Sequence, residues 1–468
     1  MKKFYVKIIF YGGFMDQLLG TVKSINGMLG IILIFVLCGA GLFFSFKLRF
    51  VQVRKFKESF KKTFFGGNGG VEADEKGMSS FQSLATAIAA QVGTGNLAGA
   101  ATAIAMGGPG AIFWMWLSAF FGMGTIYAEA TAAQKYKEED NGRVIGGPAF
   151  YIKAGIKGKA GKILSAVFSV CLILALGFFG IMVQSNSIAD ACNTAFGINP
   201  LIMGIVVAIL VVIVVLGGVS RIASFTEKVV PIMAGFYIIG ALVIIFMNVT
   251  AVPAAFKSIF VGAFNPASVA GGIVGVTIKN AIRYGIQRGL FSNEAGMGST
   301  PHAHAIAKVQ HPCDQGLVAM MGVFIDTFII LTLTALVIIM SGAWTNSELA
   351  GIAITQNAFN ASFGKFGETF IAICMFFFAF STIIGWFFFA ETNVRYLARG
   401  KNDDKVVKIF TILVAGFVVL GSLLKVNLVW ELADMFNSFM VIPNIIGLFA
   451  VSAVVLNLNK EYEGKIKK

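Results

Sequence analysis

Charge is what this chain has least of. Only 13% of its 468 residues are Asp, Glu, Lys or Arg, against about 25% in soluble globular proteins. With 57% of residues hydrophobic, a soluble domain of this length has too little polar surface to cover its core. A bilayer removes that requirement, because lipid takes the place of a polar exterior. Cysteine is scarce as well. Cys38, Cys171, Cys192, Cys313 and Cys374 are odd in number and scattered, mostly inside apolar runs. That excludes a disulfide framework and a metal-binding spacing. Histidine is limited to His302, His304 and His311, which are expected in an exposed cytoplasmic loop and form no standard metal or triad spacing. The first apolar run is followed by a basic loop and not by a small-residue cleavage site, so no cleavable signal peptide is expected.

Glycine, by contrast, is abundant, with 54 residues where about 7% is usual. Small residues let membrane helices approach closely and tolerate local unwinding. A net charge of +14 is compatible with a polyanion partner, but the basic residues gather in short loops between apolar runs. That is how lysine and arginine mark cytoplasmic loops, so no nucleic-acid partner is expected.

Apolar runs of spanning length lie at 27–46, 81–106, 110–134, 163–188, 201–217, 229–250, 269–300, 316–341, 367–391, 407–424 and 429–456. The expected architecture is therefore an all-α polytopic membrane protein with about eleven transmembrane helices. One set of alternate loops holds nearly all the bases, among them Lys47, Arg54, Lys62, Lys135, Arg143, Lys162, Arg221, Lys308, Arg395 and Lys408. The opposite set carries few: Lys2, Lys3, Lys7 and Lys23, then Lys257, Lys365 and Lys425. The N-terminus is predicted outside, the C-terminus cytoplasmic, in a plasma (inner) membrane. Residues 47–65 mix bases with Phe50, Phe56, Phe60, Phe64 and Phe65, as in a helix lying on the inner leaflet. Residues 66–79 read as a flexible linker.

Two spans are irregular. The second holds Gln91-Val92-Gly93-Thr94-Gly95-Asn96 near its middle, and the seventh holds Gly289-Leu290-Phe291-Ser292-Asn293-Glu294-Ala295-Gly296. Their starts are five helices apart, so the two groups of five enter the membrane from opposite sides. Gly-interrupted helices in matching positions of inverted halves are the sequence pointer to a secondary transporter with a midplane site. Unwinding there frees backbone groups that lipid cannot satisfy. Amides at a half-helix start suit a carboxylate and carbonyls at a half-helix end suit a cation. The units are then 1–80 (extra helix and amphipathic segment), 81–250 (first repeat) and 251–468 (second repeat and tail).

Gly93-Thr94-Gly95-Asn96-Leu97-Ala98-Gly99, followed by Gly107-Gly108-Pro109-Gly110-Ala111-Ile112-Phe113-Trp114-Met115-Trp116, resembles the alanine/glycine:cation symporter family. Arg288 to Gly298 and Phe380 to Trp386 are further matches, and the likeness spans nearly the whole chain. The resemblance implies a LeuT-type fold of five plus five helices with one extra N-terminal helix, and Na⁺-coupled uptake of alanine, glycine or similar amino acids. It carries substrate contacts onto Thr94, Gly95, Asn96, Gln184, Phe291, Ser292, Asn293, Thr382 and Trp386. It carries a Na⁺ site onto the carbonyls of Ala89, Val92 and Phe378 with the hydroxyls of Ser381 and Thr382. No organic cofactor and no catalytic residue is implied.

Charge inside spans is costly against lipid. Lys279, Asn280, Arg283 and Gln287 form one polar stripe of the seventh helix, read as an extracellular vestibule wall or as structural pairing with buried acids. Asp326, Glu129 and Glu391 are read first as packing partners of nearby bases and second as ion-coupling groups. Three other functions remain beside Na⁺ symport: proton coupling on the same fold, a membrane-embedded enzyme using the histidines and Glu294, and a channel.

Overall fold

The computed structural model describes residues 2–65, 77–140, 142–265, 269, 277–399 and 403–466. The predicted linker at 66–79 falls mostly outside these residues, as does 270–276, near the start of the predicted seventh span. The described chain is helical nearly throughout; the one sheet is a two-stranded hairpin, β1 (Glu138–Asp140) with β2 (Arg143–Ile145).

Leaving aside the short helices Val51–Arg54 and Pro148–Gly155, the helices in order are α1 (Lys2–Lys47), α2 (Phe56–Phe64), α3 (Ser80–Gln91), α4 (Ala100–Gly107) and α5 (Ala111–Lys135). Then come α6 (Gly158–Phe196), α7 (Pro200–Val215), α8 (Gly218–Met247), α9 (Val252–Phe264), α10 (Ile278–Asn293) and α11 (Pro301–Ala305). The chain continues through α12 (Pro312–Ser341), α13 (Ile352–Phe363), α14 (Lys365–Ala398), α15 (Asp403–Leu423), α16 (Val426–Ala450) and α17 (Ser452–Ile466). Eight of the described helices are long and apolar enough to cross a membrane. The predicted spans 81–106 and 269–300 are missing from those eight because the first is split into α3 and α4 and the described part of the second holds only the 16-residue α10, which stops at Asn293. The span at 201–217 is the 16-residue α7, about 24 Å long at 1.5 Å per residue. Helices α9 and α13 were not expected; at 13 and 12 residues they are too short to register as spans.

Both interruptions have local causes. Helix α3 starts on a capping box, Ser79 with Gln82, and ends before Val92. A π-helical turn, Gly95–Gly99, then leads into α4. Helix α10 is stopped by Glu294 at φ 57°, and Gly296 (φ 85°) and Gly298 (φ 83°) keep the chain out of a right-handed helix until Pro301 restarts it. The Gly-Gly-Pro-Gly turn is explained by packing: a Cβ on Gly110 would stand 2.1 Å from the Gly262 carbonyl carbon of α9.

Helix α2 docks through Ser59, whose hydroxyl donates to the Leu317 carbonyl at 2.5 Å, and through Phe56 against Phe324. Phe60, Phe64 and Phe65 stay exposed, as a surface-lying amphipathic helix requires. The loops that the base count assigns to one side are tied together by Arg54–Glu463, Lys62–Asp314, Arg395–Asp404 and Arg399–Glu138 ion pairs.

Candidate functional site

The two breaks meet. A Cβ on Gly95 would lie 2.8 Å from Ser292 Cα, so the π-helical turn after the first break touches the last turn of α10 before the second, backbone to backbone. Gly99 is different: its nearest neighbours would be 3.7 Å and 3.9 Å away, an ordinary contact. Two side chains hold the first break. Asn96 Oδ1 accepts from the Gly93 amide at 3.1 Å, and Gln184 Oε1 accepts from the Thr94 amide at 3.2 Å. Gln184 reaches the break although it lies late in α6. The π-helical stretch Ile173–Gly180 precedes it, a distortion common beside functional sites.

Asp326 is the hub. Its Oδ1 accepts from Asn96 Nδ2 at 2.7 Å and from Ser292 Oγ at 2.9 Å; its Oδ2 accepts from Thr327 Oγ1 at 2.8 Å. One carboxylate therefore links both breaks to α12, on another π-helical stretch, Phe324–Leu331. Asn293 sits beside it: its Nδ2 donates to Thr327 Oγ1 at 3.2 Å, and its carbonyl accepts from Gln91 Nε2 at 2.7 Å.

On the other flank of the break, Thr382 Oγ1 lies 2.8 Å from the Ala89 carbonyl, 3.0 Å from that of Phe378 and 3.4 Å from that of Val92. A hydroxyl has one proton, so it can satisfy only one of three acceptors. The Gly93 amide, which would serve Ala89 in a continuous helix, is turned to Asn96. Carbonyls at a helix end without donors suit a cation. Thr94 Oγ1 and Gln91 Oε1 are also buried without partners. Ser381 stands apart: its hydroxyl donates to the Phe378 carbonyl at 2.9 Å and meets Met233 Sδ at 3.4 Å.

The remaining two predicted contacts pair with each other and with an acid. Phe291 meets Trp386 edge to face at 5.9 Å, and Trp386 Nε1 donates to Glu294 Oε1 at 2.5 Å. A Cβ on Gly180 would press on the Trp386 ring at 2.7 Å, so that glycine makes room for the indole. Below, Glu129 accepts from the Gly296 amide at 2.9 Å and from Asn444 Nδ2 at 2.6 Å. The expectation that Asp326, Glu129 and Glu391 pair with bases fails for the first two, and Glu294 shares their situation. Among the described residues, Asp326, Glu294 and Glu129 are fully buried with hydrogen bonds but no ion pair. Glu391 does pair, with Arg395 at 2.8 Å.

The histidines are a correction. His302 and His304 are buried at 1% exposure, not on an exposed loop. The segment is drawn inward by Gln134, which donates to the His304, Ala305 and Ala307 carbonyls, and by Asn393 against His302 Nε2 at 2.8 Å. No group of three metal-ligating side chains forms among the described residues.

The polar stripe of α10 divides. Lys279 is exposed, whereas Gln287 donates to Asp434 Oδ2 at 3.1 Å; Arg288, next to the stripe, is buried and pairs with Asp434 at 2.9 Å, its guanidinium 4.5 Å over the Trp430 ring. Trp430 in turn packs on Phe291 at 4.9 Å. This layer separates the breaks from a cavity of about 470 Å³ that Arg283, Arg288 and Trp430 line. Asp434→Asn leaves Arg288 buried without its counter-charge, so it should cost about 3 kcal/mol, seen as a lowered melting temperature in detergent. An Arg288→Met/Asp434→Leu double variant should recover most of that loss.

With this geometry, comparison with known proteins becomes informative. The model of the sodium:alanine symporter family matches residues 15–468. The sodium/alanine symporter AgcS of Methanococcus maripaludis is 42% identical, over 94% of this chain and 96% of its own. The amino-acid carrier protein AlsT of Bacillus subtilis is 40% identical, over 93% and 90%. The probable sodium/glutamine symporter GlnT of the same organism is 39% identical, over 96% and 91%. Among solved structures, MhsT in complex with L-phenylalanine is similar at a TM-score of 0.56 and 14% identity, over 81% of this chain and 89% of that one. That likeness shows the LeuT-type fold alone.

Proposed function

From the premise that this chain belongs to the sodium:alanine symporter family, we propose that it imports small neutral amino acids, alanine or glycine, together with Na⁺. Membership makes it a multi-pass transporter of the amino-acid:cation symport class and not an enzyme. The finer reading rests on one observation: two interrupted helices meet beside their breaks, at Gly95 and Ser292, next to a buried carboxylate, Asp326.

A zwitterion needs a donor set for its carboxylate and an anionic or carbonyl set for its ammonium. Thr94 Oγ1, buried without a partner, and the Gln184 amide offer the first, joined by the Gly93 and Thr94 amides when the carboxylate displaces Asn96 Oδ1 and Gln184 Oε1. Asp326 with Ser292 and Asn96 offers negative charge for the second. Asn293, Phe291 and Trp386 close the side-chain end, and the indole limits its size. The carbonyls of Ala89, Val92 and Phe378 with Thr382 Oγ1 hold Na⁺; Ser381 joins them after a rotamer change. Cation binding then orders the first break, the amino acid completes the site, and one helix bundle rocks against the rest in alternating access. The N-terminus is outside and the C-terminus cytoplasmic, in the inner membrane.

Uptake of radiolabelled alanine into proteoliposomes under a Na⁺ gradient tests this; equal uptake with choline replacing Na⁺ would sink Na⁺ coupling. Thr382→Ala should raise the Na⁺ concentration for half-maximal uptake about tenfold, the loss of one ligand worth ~1.4 kcal/mol, while Thr382→Ser stays near wild type. One observation favours proton coupling as a second reading: Asp326, Glu294 and Glu129 are buried acids without bases. Uptake driven by a pH gradient in Na⁺-free buffer is its signature.

A further inference from the structure

The cavity of about 470 Å³ above Trp430 has charged walls that the proposed transport site does not use. Arg283 of α10 and Glu431 of α16 line it, and so does Lys23 of α1, the helix outside the five-plus-five core. Helix α1 is fastened there by Asn26, whose Nδ2 donates to the Glu431 carbonyl at 2.8 Å and to its carboxylate at 2.6 Å.

Arg288 also faces the cavity, but Asp434 neutralises it. Arg283 is in no ion pair among the described residues, and its Nε is buried without a hydrogen-bond partner. Its guanidinium lies 5.6 Å from the ring of Tyr284. Arg288 Nε is likewise unpartnered, on a side chain only 8% exposed. The Arg283 guanidinium is half-buried at the cavity wall. Its planar fork matches a carboxylate. Lys23 and Arg283 together outnumber Glu431, so the cavity carries an excess of positive charge, with an acid at one edge for an ammonium group. The volume is in the range of small-molecule pockets.

We propose that this cavity is a second, outer binding site, which takes an amino acid by its carboxylate at Arg283 and Lys23 before Trp430 admits it to the breaks. The extra helix α1 is thereby part of the substrate path. The site concentrates zwitterions at the gate through the carboxylate they all share, and leaves side-chain selection to the inner pocket.

The proposal rests on the amino-acid transport reading, and the test separates the two. Initial rates of L-alanine uptake by full-length protein in proteoliposomes are measured over a range of ionic strengths. The Lys23→Gln/Arg283→Gln variant should raise KM about tenfold, keep kcat and flatten the salt dependence; Lys23→Arg/Arg283→Lys should restore both. An unchanged KM and salt slope overturns the outer site, as does a fall in kcat with KM unchanged. If the wild type takes up no alanine, the transport reading fails, and the site is judged by binding of acetate. Acetate should change the tryptophan fluorescence of the wild type, but not that of Trp430→Phe or Arg283→Gln. The same response in Arg283→Gln as in the wild type overturns it.

Discussion

Gly95→Ala will reduce amino-acid uptake by about a hundredfold or more while the protein still folds. The added methyl would stand 2.8 Å from Ser292 Cα and 2.9 Å from its Cβ. Relief requires the second break to retreat, because the obstacle is main chain and not the tip of a flexible side chain. Overpacking of this kind costs about 1–3 kcal/mol of stability, which a large helical protein withstands. Function is more sensitive: a 1 Å misplacement of positioning groups costs about 10²-fold, and the Asn96–Asp326–Ser292 bridge spans this contact. Gly99→Ala, one turn on and with open space of 3.7 Å, should transport within about twofold of wild type, since its methyl makes only ordinary contacts. Initial uptake rates normalised to reconstituted protein give the comparison. Near-equal rates for the two variants would remove the close approach as a functional requirement.

The contrast between those glycines shows what could and could not be read from the sequence. Paired interruptions were legible because glycine and polar residues stand out within apolar spans, and their spacing implies inverted halves. Which glycine matters was not legible: Gly95 and Gly99 share one small-residue spacing, and only the fold puts Ser292 beside the first. Thr382 with the carbonyls of Ala89 and Val92 followed from the family resemblance, and the structure brings these groups together. Asp326 was underrated. Its partners Asn96 and Ser292 are 230 and 34 residues away, so locally it is a lone acid in an apolar run; its place well inside the span was the signal to weigh more heavily. Glu294 entered only as part of the second interruption and of the enzyme alternative, and its bond to Trp386 joins residues 92 apart. The histidines were misplaced because a Pro- and His-containing stretch between spans resembles an exposed connector. Gln134 and Asn393, from other helices, are what pull it inside.

Asp326→Asn is the second decisive substitution, because it keeps the shape and removes the charge. The carboxylate accepts three hydrogen bonds, two at Oδ1 and one at Oδ2. An asparagine keeps one acceptor for Asn96 and Ser292, and offers its amide to the Thr327 hydroxyl, which can accept as well as donate. The fold should therefore survive, with a loss of about 1 kcal/mol visible as a small drop in melting temperature. Transport should fall about a hundredfold or more. A buried charge without a basic partner is stable only with a counter-ion or a proton. In the proposed cycle that counter-charge is the cargo, either the ammonium or Na⁺. Removing it forfeits a charge-assisted contact of about 1.5–3 kcal/mol for each cation it balances. Asp326→Ala should lose transport too, but with lower stability, since Asn96 and Ser292 are left without their acceptor. The pair separates charge from scaffold: wild-type rates in Asp326→Asn, with losses only in Asp326→Ala, would make Asp326 a strut between the two breaks and not part of the cation balance.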